Sequence, residues 1–359
     1  MSWRRLVAIM VKELRQLRRD RITLAMIVGI PVLQLVLFGY AINLNLRGLP
    51  AGVADLAGTA ASRAAVMDLS ATGVIEPVLH ATDADALMDA LRRGRISVGV
   101  VVPRDYERRR ADGREAIQVL VDGSDTVVQS AASQLAQVPL DGAARPAGAI
   151  AVVAFYNPER RSPVNIVPGL IGVILTMTMV MFTSVAIVRE RERGNMELLI
   201  ATPMSSAELM VGKVLPYAVI GLVQVTVVLA LGALLFDVPV RGSLLDVYVA
   251  AVLLILANLT LGLLISTRAQ SQFQAMQMTF FVFLPSILLS GFMFPFAGMP
   301  RVAQWLAEVL PLTHFLRLVR GVMLRGAGLA DLWPEAVAMV AFTAVMMAAA
   351  ILRFRKRLD

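Results

Sequence analysis

The stretch VNIVPGLIGVILTMTMVMFTSVAIV, Val164 to Val188, runs without a single Asp, Glu, Lys or Arg and decides the class of the fold. At ~1.5 Å of rise per residue, a helix of this length crosses the roughly 30 Å hydrocarbon core of a bilayer with residues to spare. Five further stretches have the same character, at about 22–42, 214–236, 247–267, 276–294 and 333–352. Only the last carries an acid, Glu335 near its start. The expected fold is therefore an α-helical polytopic membrane protein with six transmembrane helices.

Composition agrees. Apolar residues make up 57% of the 359 and charged ones 17%, whereas charge in soluble domains runs near a quarter. The chain has no cysteine, which excludes disulfides, thiolate metal sites and cysteine nucleophiles. Its two histidines, His80 and His314, are far apart and argue against a His-rich zinc site. The net charge of +8 clusters beside apolar runs, as a topology signal does, and not as a stripe for nucleic acid. Arg4, Arg5, Lys12, Arg15, Arg18, Arg19 and Arg21 precede the first span; Arg189, Arg191, Arg193 and Lys213 separate the second from the third; Arg353, Arg355, Lys356 and Arg357 follow the sixth. Six crossings put all three groups on one side, and the positive-inside rule makes that side the cytoplasm, with both termini in it. The first span has a basic start and small residues at Gly39 and Ala41, but its apolar core is too long for a cleaved signal and reads as an anchor.

Residues 43–163 differ in composition and read as an inserted extracytoplasmic α/β domain. Strand candidates are Gly52–Asp55, Val74–Leu79, Ile96–Val102 and Ala116–Asp122. Helix candidates are Ala60–Ser70, Ala84–Arg93 and Thr126–Leu140, with Asp83 placed to cap the second. Asp141–Ala149, with Pro146, reads as a linker back to the membrane. Ahead of the first span, residues 1–21 place Trp3, Leu6, Val7, Met10, Leu14 and Leu17 at helical spacing among basic residues, the pattern of an amphipathic helix on the inner leaflet.

Two segments carry functional information. The first is RERERGNMELLIATPMSSAELMVGK, Arg189 to Lys213, which reads as a helix extension, a bend at Gly194 and a second short helix capped by Ser205 or Ser206. The second runs from LPSILLSGFMFPFAGMP (Leu284 to Pro300) into VLPLTHFLRLVRGVMLRG (Val309 to Gly326). Its prolines, among them Pro285, Pro295, Pro300 and Pro311, forbid one straight helix. Short helices dipping partway into the membrane at 295–326 fit better, with His314 in a loop and Arg317, Arg320 and Arg325 near the outer surface. Non-helical backbone at that depth must be buried in protein or face water, which makes the segment a candidate part of an exit path.

The first segment resembles the coupling segment of type-2 ABC exporter permeases in Arg189-Glu190-Arg191-Glu192, Gly194, Glu197-Leu198-Leu199, Thr202-Pro203 and Lys213, with Asn195 where that family often has Thr. The second resembles the last external segment of the same family. The resemblance implies a membrane subunit without catalytic residues, paired with a cytoplasmic ABC ATPase that binds ATP and Mg, and with a second copy or a similar permease. It further implies coupling through Glu190, Glu192, Gly194, Glu197, Thr202 and Pro203, a bacterial inner-membrane location, and export of drug-like, amphiphilic or lipid-linked cargo. The large external domain suggests a periplasmic adaptor as a further partner, or equally a lid. The chain itself offers no G-x-x-x-x-G-K-[ST] loop, since Gly212-Lys213 lacks the second glycine and the hydroxyl.

Uncharged polar residues in the spans, Thr176, Thr178, Gln224, Asn258 and Gln277, are candidates for a pathway, with interhelical hydrogen bonding as the commoner reason for such residues. No H-E-x-x-H and no pair of in-span aspartates suggest an intramembrane enzyme or a metal site. The competing class is a membrane-anchored receptor or assembly factor whose external domain binds a ligand, for which six spans and a coupling-like segment are excessive.

Overall fold

A computed structural model describes residues 48–138, 150–159, 161–194 and 206–353. The expected inner-leaflet helix 1–21, the first span 22–42, the linker Asp141–Ala149 and the basic tail beyond Arg353 lie outside the described residues.

The first part is a layered α/β unit: β1 (Leu49–Asp55), α1 (Ala60–Ala71), β2 (Ile75–His80), α2 (Ala84–Arg92), β3 (Val98–Val102), α3 (Tyr106–Ala111), β4 (Ile117–Asp122), α4 (Thr126–Ser133) and β5 (Ile150–Phe155). The strands form one sheet in the order β2-β1-β3-β4-β5, parallel except where β3 meets β4. All five residues of β3, VGVVV, are buried, as expected of a β-branched central strand covered on both faces. The sheet buries Leu49, Val53 and Val100 against Leu69 and Tyr106, while Leu87, Leu91 and Ile96 pack with Val101 and Leu120. Asp83 caps α2 as the sequence suggests, its Oδ1 accepting from Ala86 N at 2.8 Å.

Three expectations need correction here. β5, IAVVAF, was not among the strand candidates, yet it pairs along its whole length with β4. The third helix stops at Ser133 and tightens into a 3-10 turn, Gln134–Gln137, instead of continuing to Leu140. α3 is an additional helix that buries only Tyr106, so no apolar periodicity announces it.

Five long apolar helices follow: α5 (Ser162–Glu192), α6 (Ser206–Phe236), α7 (Leu244–Ser266), α8 (Gln272–Leu289) and, after two short helices, α11 (Trp333–Arg353). The short ones are α9 (Arg301–Glu308) and α10 (Pro311–Arg320), preceded by a 3-10 turn at Phe296–Gly298 and followed by a π-turn at Gly321–Arg325. These segments give a polytopic helical membrane protein with five candidate spans among the described residues. The expected second short helix after Thr202-Pro203 is the beginning of α6, which runs unbroken from Ser206 into the next span. α8 starts four residues earlier than expected and ends at Leu289, before the glycine and prolines that follow.

α7 is the axis of the bundle. Val247, Leu254, Ile255, Leu259 and Leu263 are buried against α5, α6, α10 and α11. Close packing of α5 on α7 depends on Gly262, where an added Cβ would lie 2.8 Å from Val180 O and 2.9 Å from Thr183 Cβ. Small residues allow such backbone approach where no hydrophobic effect drives helices together.

The helices alternate, so the bundle has two distinct ends. One carries the α/β unit: Arg161 Nη2 donates to Phe236 O, and Arg241 N and Gly242 N donate to Met323 O and Val322 O in the π-turn at 2.9 and 3.0 Å. The opposite end carries Arg189–Gly194, the turn joining α7 to α8, and Arg353.

Candidate functional site

At the end away from the sheet, α5 finishes with Arg189, Glu190, Arg191, Glu192 and Arg193, and Gly194 turns the chain at φ 72°. That left-handed conformation favours glycine at the position closing a helix. The last turn is tied to the α7–α8 connection. Arg191 Nη1 donates to Ala269 O at 3.1 Å. The Glu192 carboxylate accepts from Gln272 N at 2.9 Å and from the Gln272 side-chain amide. Beneath these contacts Val188 is buried with Ala269 and Ala275. The ends of α5 and α8 therefore form one polar-capped unit. Of the expected coupling residues, Glu190, Glu192 and Gly194 sit in this unit, whereas Glu197, Thr202 and Pro203 lie outside the described residues.

The other end holds a denser polar cluster. His314 belongs to α10, not to a loop as expected, because Pro311 starts that helix at its first position. Its two ring nitrogens face two acceptors: Nδ1 meets the Glu335 carboxylate, and Nε2 lies 2.8 Å from Glu308 O. Only an imidazolium donates to both. Burial opposes that charge, but the Glu335 carboxylate and the Glu308 carbonyl outweigh it and raise the pKa of His314. Arg317 bridges three elements, donating to Glu308 Oε1 at 2.6 Å and Glu335 Oε1 at 3.3 Å while its guanidinium covers the Phe296 ring at 4.5 Å. Pro295 caps the 3-10 turn that presents Phe296.

Arg320 and Arg325 point toward the α/β unit. Arg325 Nη1 donates to Asp122 Oδ2 at 3.1 Å, and each side chain is 10% exposed. Arg320 Nη1 donates to Gly291 O at 3.2 Å and stands 4.0 Å from Asp125 Oδ2. Arg317 and Arg325 thus find close carboxylate partners inside the protein, and Arg320 a carbonyl with a more distant carboxylate. Around them lies a cavity of ≈ 350 Å³ whose wall includes Pro50, Asp122, Arg320, Arg325, Leu332 and Glu335. A second, of ≈ 250 Å³, adjoins it at Asp125, Gly291, Pro295 and Arg320 and continues past Asn165 and Phe292.

The polar span residues are not gathered in these cavities. Asn258 Nδ2 donates to Thr176 Oγ1 at 3.2 Å, joining α7 to α5, and both residues are buried. Thr178 Oγ1 and Gln224 Oε1 are 3.0 Å apart across α5 and α6. Gln277 is half-buried on α8. Asp122, Asp125, Glu308 and Asn165 were not singled out in the sequence. The one available signal was chemical: arginines placed near apolar segments require acceptors.

The sequence that builds this bundle matches the family model of the ABC-2 family transporter protein over residues 21–352. The chain belongs to the ABC-2 transporter family. Among curated proteins this permease is 32% identical over 376 residues to "Probable multidrug ABC transporter permease YbhS" of Escherichia coli K12, covering 100% of this chain and 99% of that one. It is 28% identical over 363 residues to "Probable multidrug ABC transporter permease YbhR" of the same organism, covering 98% and 99%. It is also 28% identical over 362 residues to "Inner membrane transport permease YhhJ" of that organism, covering 96% of each. The chain is therefore an ABC-2 permease, and its family implies partnership with an ABC ATPase. The described residues contain no group of side chains arranged to hold a metal ion.

Proposed function

We propose that this permease exports amphiphilic, drug-like or lipid-linked cargo across a bacterial inner membrane, as one of two permease copies or similar permeases driven by two cytoplasmic ATPases that bind ATP and Mg. The basic end of the bundle, with Arg189, Arg191, Arg193 and Arg353, faces the cytoplasm in this reading. The first span at 22–42 supplies the sixth crossing and returns both termini to the same side. The α/β unit then lies outside, inserted between the first two spans as residues 43–163, where it acts as a lid or docks a periplasmic adaptor.

The observation that carries the reading is the tie between α5 and α8 through Glu192 and Gln272. ATPase closure against residues 189–213 would push one end of α5. The ties to Ala269 and Gln272 would pass that push to α8, and the covalent continuation through Thr202-Pro203 would pass it to α6. A shift between two packed arrangements of these helices changes which end is open. Glu190, Glu192, Gly194, Glu197, Thr202 and Pro203 are the coupling residues of this proposal, and the segment 295–326 belongs to the exit path. The test is to replace Glu192 and Glu197 together and measure substrate-stimulated ATP hydrolysis by the reconstituted complex. Loss of stimulation with intact assembly is expected; unchanged stimulation refutes the assignment.

A further inference from the structure

The two adjoining cavities at the sheet-side end are walled by arginines that the fold holds to different degrees. Four arginines, Arg93, Arg317, Arg320 and Arg325, face the larger one, and their carboxylate partners are Asp122, Asp125 and Glu335 on its wall and Asp89, Glu308 and Asp331 beside it. The pairing is uneven. Arg325 is held by Asp122, Arg317 by Glu308 and Glu335, and Arg93 by Asp89 at 2.9 Å. Arg320 reaches a carboxylate only at 4.0 Å, although it is 16% exposed and lines both cavities.

Hydrogen-bond accounting points the same way. Among the described residues, Nε of Arg320 and Nε of Arg325 have no acceptor, and neither Nδ2 nor Oδ1 of Asn165 has a partner. Asn165 is 6% exposed and lines the smaller cavity. Leaving such groups buried and unmatched is unfavourable, the more so for charged ones. Three of these four atoms belong to donor groups. A ligand that satisfies them must bring acceptors, and the loosely held Arg320 guanidinium favours one that carries negative charge. The rest of the smaller cavity is apolar, with Ile166, Phe292, Met293 and Phe294 on its wall, and Ile166 and Met293 are 46% and 52% exposed at its rim.

We propose that these cavities form a binding site for an amphiphile with an anionic head group, a phosphate or a carboxylate. The head sits against Arg320, with Arg325 and the Asn165 amide as further donors, and the apolar body lies along Ile166, Phe292 and Met293. Asp125 is the opposing charge and weakens the site for an anion. The proposal deepens the export reading and rests on it for its biological meaning, but binding to the isolated full chain is measured without any ATPase, so either reading can fail alone.

The experiment titrates the full-length chain, in phosphatidylcholine nanodiscs, with dodecyl phosphate, dodecyltrimethylammonium and inorganic phosphate. Dodecyl phosphate is expected to bind at least about tenfold tighter than either of the others. Arg320→Gln and Asn165→Leu are expected to weaken it, by about tenfold for the arginine; Arg320→Lys should recover part of the loss, and Asp125→Asn should tighten binding. Should Arg320→Gln fail to fold, Asn165→Leu and Asp125→Asn carry the test, since Asn retains the capping ability of Asp at the start of α4. Discs doped with phosphatidic acid separate the sources: competition with dodecyl phosphate identifies a lipid headgroup, its absence a free amphiphile, and both support the site. Equal binding of the ammonium probe, equal binding of inorganic phosphate, or weaker binding after Asp125→Asn overturns the proposal.

Discussion

Asp122→Ala removes the acceptor that pins the π-turn of the bundle to the end of β4. The Asp122 carboxylate accepts from Arg325 at 3.1 Å and from Ser124 N at 3.0 Å. The guanidinium is wedged against Gly94 and Gly321, where an added Cβ would come within 3.0 and 3.1 Å of its nitrogens. At this separation and an effective dielectric of ~20, the attraction is about 5 kcal/mol before desolvation is subtracted. With both side chains 90% shielded, deleting one partner should cost about 3–5 kcal/mol, because it strands a buried cation. Replacing both, as Asp122→Leu with Arg325→Met, should cost much less, since neither charge is then left unpaired. Hydrogen exchange of the permease in nanodiscs reads the effect locally. A loss of ~3 kcal/mol corresponds to roughly a hundredfold faster exchange at 321–327, while β3 in the sheet centre stays protected. The reasoning is refuted if exchange at 321–327 rises less than about threefold, or if the double replacement is as damaging as Asp122→Ala.

Overpacking the α5–α7 contact by Gly262→Val should cost about 1–3 kcal/mol, seen as a lower thermal midpoint, because the new side chain meets Val180 O and Thr183. The Thr176–Asn258 pair should prove structural: Thr176→Val with Asn258→Leu is expected to change stability by no more than about 2 kcal/mol and to leave transport specificity unaltered, checked by thermal unfolding and a panel of cargo. His314 gives a pH dependence of defined sign. Its pKa is raised in the folded chain, so its contribution is complete below the ordinary value of 6.5 and is lost as pH rises through the higher folded value. Thermal midpoints measured upward from that pH should therefore fall more steeply for the native chain than for His314→Gln. Parallel curves would show that the His314–Glu335 contact contributes nothing.

The spans were legible because charge is costly in hydrocarbon: α7 extends from Leu244 to Ser266 and the uncharged stretch suggested 247–267. β3 was legible from its valines. β5 was not, because IAVVAF follows a Pro- and Gly-containing stretch and its pairing with β4 reaches across α4, a long-range choice that local pattern does not carry. The prolines correctly marked 295–326 as broken, but they also made a loop of the residues around His314, where Pro311 in fact starts a helix. The arginine cluster was visible in sequence without its acceptors. Asp122 and Arg325 are 203 residues apart, and neither's neighbours indicate the other.

α5 is the element that makes the two ends of the permease one problem. Its 31 residues span roughly 46 Å at ~1.5 Å per residue, well beyond the hydrocarbon core. Asn165 lies near one end on the wall of the smaller cavity, and Glu192 lies at the other, bound to Gln272. Between them, Val180 packs on Gly262 with no space for a Cβ, which gives the helix a tight contact near its middle. A helix held there and pushed at Glu192 tilts about that contact. A tilt of about 5° moves each end by about 2 Å, more than the roughly 0.5 Å spread of ordinary hydrogen-bond lengths. Under the proposed coupling, force applied at the basic end would shift the Asn165 amide relative to a head group held by Arg320. Release of the cargo would then require no contact between the ATPase and the cavity, only that the push be carried past Pro168, which lies inside α5 between Val180 and Asn165.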